Sequence, residues 1–115
     1  MGDTGLDLLR GTLDLMLLKA LAWQPMHGYA AAKWVRAASR ETIGVEDRAL
    51  YIALHRLEAR KHIRGKWRMT STGRRAKFYE LTAAGRARLK SDTSQWDEYV
   101  RAMSYVLHAK PESAS

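Results

Sequence analysis

The side chains whose types and spacing could do chemistry are cations. Residues 63–90 hold nine Lys or Arg and a single acid, Glu80, a net of +8, whereas residues 1–62 net +2 and residues 91–115 net −2. A basic cluster on an otherwise balanced chain suits a polyanionic partner; a solubilising surface, the plainer reading, would need no clustering. Other reactive chemistry is sparse. There is no cysteine, which removes disulfides and thiolate metal sites. His27, His55, His62 and His108 include no pair at a metal-binding spacing such as i and i+4, so neither a metal nor a cofactor is expected. No nucleophile motif or phosphate-cradling glycine loop is present, so an enzyme is not expected. His27 reads as a turn residue.

The bulk properties narrow the setting. The 115 residues, 46% of them hydrophobic, suffice for one modest globular domain and not for two cores. No apolar stretch approaches a membrane span, and the basic run is not an amphipathic helix. Met1-Gly2-Asp3-Thr4-Gly5 lacks the charged-then-apolar pattern of an export signal. A cytoplasmic protein without a membrane partner is expected.

The elements that must position the cations follow from periodicity. Residues 6–22 carry leucines at 6, 8, 9, 13, 15, 17, 18 and 21. A helix apolar on nearly all sides is usually buried from two directions, here by its own domain and a second subunit. Pro25 ends it. A second helix opens at His27-Gly28-Tyr29 and runs to about Ser39. After a polar loop from Arg40 to Glu46, a third helix starts at Glu46 or Asp47, with an acid suited to the helix dipole. Leu50, Leu54, Leu57 and Lys61 form its stripe, and Leu50, Ala53, Leu54 and Leu57 are its expected buried part.

At Ile63 the period changes to two. Ile63, Gly65, Trp67 and Met69 alternate with Arg64, Lys66 and Arg68 as a strand with a basic outer face. Thr70-Ser71-Thr72-Gly73 is a turn, and Arg75–Leu81 a second strand, in which alternation does not decide between Phe78 and Tyr79 as the inward ring. The hairpin tip bears Arg74, Arg75 and Lys77. Thr82 is an N-cap, and Leu89, Thr93, Trp96, Val100, Met103 and Leu107 make a heptad-like seam widened by Tyr99 and Val106.

Three helices, a basic hairpin and a long last helix make the fold mainly α with a small β-hairpin. The arrangement is a winged helix-turn-helix over residues 1–81, a dimerisation helix over 82–108 and a frayed tail over 109–115. Double-stranded DNA is the polyanion such a fold takes: the third helix enters the major groove and the hairpin follows the backbone. Opposite the buried stripe of the third helix lie Arg48, Ile52 and His55, flanked by Tyr51 and Arg56. Arg48 can read guanine with two donors, or remain a solvated charge; Ile52 suits a thymine methyl. Arg56 is either a further contact or half of an ion pair with a nearby acid. Lys66, Arg74, Arg75 and Lys77 are the expected phosphate contacts. Leu89, Trp96, Val100, Met103 and Leu107 are expected at a homodimer seam.

The chain resembles the PadR-like transcriptional regulators, in the short subfamily with one C-terminal dimerisation helix. The resemblance is carried by Gly11-Thr12-Leu13-Asp14, His27-Gly28-Tyr29, Leu50-Tyr51, Ala53-Leu54-His55-Arg56-Leu57-Glu58, Gly73-Arg74-Arg75-Ala76-Lys77 and Tyr79-Glu80-Leu81-Thr82-Ala83-Ala84-Gly85. It implies a homodimeric repressor, often of efflux or detoxification genes. Tyr51 matches its recognition-helix tyrosine, and Arg74, Arg75 and Lys77 match its wing. It also implies a planar aromatic effector stacked on Trp96, against the plainer reading that Trp96 fills the dimer core. The departures cluster: the family usually has Gly at Arg48, Ser or Thr at Ala49, Pro at Ile52, Gly at Lys61 and an apolar residue at His62. The operator sequence therefore does not carry over. The rival reading is a winged-helix protein-interaction module with reduced DNA binding.

Overall fold

The core is built where the apolar faces of three helices meet one end of a small sheet. The computed structural model describes residues 4–112, with side chains from residue 11 onward. In chain order the elements are α1 (Thr4–Leu21), β1 (Met26–His27), α2 (Gly28–Ala38), α3 (Asp47–Ala59), β2 (Ile63–Met69), β3 (Arg75–Leu81) and α4 (Ala83–Leu107). Leu17, Leu18 and Leu21 of α1, Ala31 and Val35 of α2, and Leu50, Ala53, Leu54 and Leu57 of α3 are buried together, closed by Ile63 and Leu81 of the strands. The expected stripe of α3 is thus the observed one, up to its final member, Lys61. Of the expected all-round apolar helix, the side chains of Leu6, Leu8 and Leu9 lie outside the described ones, and residues 113–115 of the tail lie outside the described residues.

The sheet is antiparallel in the order β1-β3-β2, so the hairpin gains a third strand. Two residues are too few to show a period, and β1 is visible only through its pairing of Met26 with Tyr79 and His27 with Phe78. Register settles which aromatic faces inward. Tyr79 opposes Gly65 on the face that also holds Ile63, Leu81, Trp67 and Lys77, and it packs on the core. Phe78 is on the other face, where His27 meets its ring edge-on and Arg68 lies over it.

Helix ends obey local chemistry. His27 caps α2, its Nδ1 accepting the Ala30 N–H at 3.1 Å. Thr82 caps α4 by accepting the Gly85 N–H at 3.0 Å, while its hydroxyl donates to the Lys61 carbonyl at 2.7 Å. Past α3, the His62 N–H reaches the Leu57 carbonyl and the Lys61 N–H that of Glu58, a Schellman pattern that puts Lys61 at φ 63°. That left-handed position favours glycine, and lysine occupies it here against that preference. Gly85 then seats the root of α4: a Cβ on it would fall 2.0 Å from the His62 carbonyl oxygen. Beyond this root α4 projects. The radius of gyration is 17.2 Å, against about 13 Å for a compact chain of this length.

Candidate nucleic-acid interface

α3 presents one face to its own core and the other outward. Arg48, Tyr51, Ile52 and His55 are all exposed, Ile52 by 51%. Tyr51 shares a groove with the hairpin, lined also by Tyr29, Trp67, Arg74, Arg75 and Lys77. The third helix and the wing therefore flank one depression, as the sequence pattern requires. Among the described residues, Arg48 and Arg74 have no acid within ion-pair distance. The Arg75 guanidinium lies 5.4 Å from the centre of the Trp67 ring, a cation–π contact that holds it at the wing surface.

Two of the expected contacts have carboxylate partners within the chain. Arg56 does not point outward. It grips Asp14 of α1 with two nitrogens, Nε to Oδ2 at 2.9 Å and Nη2 to Oδ1, and both side chains are largely buried, 19% and 14% exposed. The hydrogen bond to Asp14 raises the Arg56 pKa. This side-on pair uses two of the five guanidinium donors and ties the side chain to α1. Lys77 lines the groove, about one-third exposed, with its Nζ 3.0 Å from Glu58 Oε1 of α3. Lys66 stays exposed but on the opposite face of the sheet from Trp67 and Lys77, 3.7 Å from Glu80, which Arg64 also approaches at 3.4 Å. Asp14 and Glu58, the partners of these two cations, are not among the expected site residues. Their only signal was membership of the family stretches.

The seam residues divide. Leu89 packs on the chain's own core rather than at an outward seam. Trp96, Val100, Met103 and Leu107 remain exposed along α4, with Tyr99, Tyr105 and Val106. Trp96 and Tyr99, ring centres 6.2 Å apart, line a groove of about 750 Å³ between α4 and Gly11, Thr12 and Leu15 of α1, which Glu98 and the Arg88–Asp92 ion pair also line. Among the described residues no cluster of His, Asp or Glu could hold a metal ion, and no helix is long and apolar enough to cross a membrane.

A helix and a basic three-stranded wing sharing one depression define a winged-helix transcriptional regulator. The chain belongs to the transcriptional regulator PadR-like family, whose model matches residues 17–91. A transcriptional regulator from Clostridium thermocellum is 25% identical, with 90% of this chain and 96% of that one covered, at a TM-score of 0.78. A PadR family transcription regulator from Clostridium difficile is 26% identical over 82% of this chain and 96% of that one, at a TM-score of 0.71. An uncharacterised protein from Lysinibacillus sphaericus is 26% identical over 92 residues, 80% of this chain and 84% of that one. The family is one of regulators, not enzymes.

Proposed function

We propose that the protein is a cytoplasmic homodimeric repressor that binds duplex DNA sequence-specifically and is released by a planar aromatic effector. The observation carrying DNA binding is the shared groove: Tyr51 of α3 and Arg74 and Arg75 of the wing line one depression. Arg48, Ile52 and His55 are exposed on the same helix. Arg48 and Ile52 supply a bidentate donor and an apolar contact for base edges, and the wing arginines neutralise phosphates. Selection of bound duplexes from a random library tests this, and repeated failure to enrich any sequence would favour the protein-interaction module.

Dimerisation is supported by the exposed apolar run of α4. The chain exposes 8710 Å², where a compact monomer of 13.1 kDa exposes roughly 6,400 Å². The excess comfortably exceeds the roughly 800 Å² per partner that a standard interface buries. Two recognition helices must reach successive major grooves about 34 Å apart, so a small rotation at the seam misplaces one half-site. The groove beside Trp96 is where an effector would act. It has the volume of a small-molecule site, two neighbouring rings for stacking, and Glu98 as a carboxylate beyond the Arg88–Asp92 ion pair. Titration with planar cationic dyes, comparing wild type with Trp96→Ala, is the check. Equal affinities, or no binding by either, would return Trp96 to a purely structural role.

A further inference from the structure

The hairpin carries a connection to the recognition helix that charge counting hides. Lys77 of β3 and Glu58 of α3 meet at 3.0 Å, each side chain about one-third exposed. To make that contact the lysine must run across β2. It does so at Gly65, a glycine in a strand interior: a Cβ there would lie 2.2 Å from Lys77 Cε and 3.1 Å from Glu58 Oε2. Strand glycines often mark a place where another group approaches closely, and here the approaching group is the lysine stem. The ammonium also sits 5.4 Å from the centre of the Tyr79 ring. The hydrogen bond to Glu58 raises the Lys77 pKa, so the group stays charged.

We infer that Gly65, Lys77 and Glu58 form a strut that fixes the wing against the recognition helix, and that Lys77 is a positioning residue rather than a phosphate contact. This rests on the DNA-binding reading. The next cation along the strand, Arg75, is held on Trp67 at the groove, so the strut sets how far the phosphate-seeking arginines stand from α3. Glu58 and Arg56 lie two apart on the helix and point to opposite sides, one to the wing and one to Asp14 of α1. The recognition helix is thereby gripped on both flanks.

A strut and a phosphate contact respond differently to four variants, assayed on the duplex selected from the random library. Losing a phosphate contact lowers the salt slope of log affinity by about one unit, whereas losing a strut leaves the slope unchanged. Glu58→Gln and Lys77→Met should each weaken binding by about two- to five-fold, the range of a partly exposed ion pair, with the slope intact. The exchange Glu58→Lys with Lys77→Glu should restore affinity, although it places an acid on the wing. Gly65→Ala keeps every charge and improves strand propensity, yet should weaken binding by displacing Lys77. A one-unit fall in slope for Lys77→Met, with Glu58→Gln at wild-type affinity, overturns the inference. Amide hydrogen exchange of residues 63–81 reads the strut without DNA. Faster exchange in the single variants and recovery in the charge exchange support it, and unchanged exchange in the single variants overturns it. If wild type binds no duplex, the DNA-binding reading fails and exchange alone decides the strut.

Discussion

α3 and α4 are both helices with an apolar stripe, but they end in opposite conditions. α3 buries Leu50, Ala53, Leu54 and Leu57 almost completely within its own chain. α4 is nearly twice as long, 25 residues against 13, and among its residues only Gly85, at its root, is buried. The stripe of α3 closes a core; that of α4 leaves Trp96, Val100, Met103 and Leu107 in solvent. A stripe shows that a helix must be covered, and only the placement of neighbouring elements shows whether the chain covers it itself. The winged unit closes its core within one chain, whereas the apolar run of α4 stays exposed, as the proposed homodimer requires.

The strongest way to break this contrast is to charge the α4 seam. Val100→Asp with Met103→Asp should give a monomer by light scattering, because uncompensated carboxylates would be buried at the seam. Affinity for a two-half-site duplex should fall by roughly 10³-fold as the second half-site is no longer tethered. The winged unit should remain folded, with its far-ultraviolet circular dichroism and cooperative melt retained. Loss of both dimer and fold would mean that the winged unit is not complete in one copy.

The root of α4 offers a second test. Gly85→Ala forces a methyl into the His62 carbonyl and should destabilise the fold by about 3 kcal/mol or more, read from chemical denaturation. A near-wild-type midpoint would show that α4 is not seated where the contrast requires.

The DNA-facing side is probed by Arg74→Ala with Arg75→Ala. Affinity should drop for all duplexes alike, and the salt slope should fall by about one unit per lost phosphate contact. Melting temperature should be unaffected, since neither guanidinium joins the core. An unchanged slope would remove the wing tip from the interface.

The smallest effect concerns Lys61, at φ 63°. Lys61→Gly should raise stability by about 1 kcal/mol, because glycine occupies the left-handed region without the steric penalty of a Cβ. A loss of stability would show that the lysine side chain contributes something the backbone angle does not reveal.

Much of this molecule is legible from local pattern. The strand boundaries at 63–69 and 75–81, the cap at Thr82 and the buried face of α3 follow from period and short-range hydrogen bonding, which act over a few residues. What escaped the sequence depends on partners far along the chain. β1 exists only because β3 lies beside it, 52 residues or so away. The Asp14–Arg56 contact joins positions 42 apart and the Glu58–Lys77 contact positions 19 apart. A sequence counts Arg56 and Lys77 with the other cations, since each carries the same charge wherever it points. Only the tertiary structure places a carboxylate within hydrogen-bond reach of each. A carboxylate partner fixes where each cation points, which its charge alone does not.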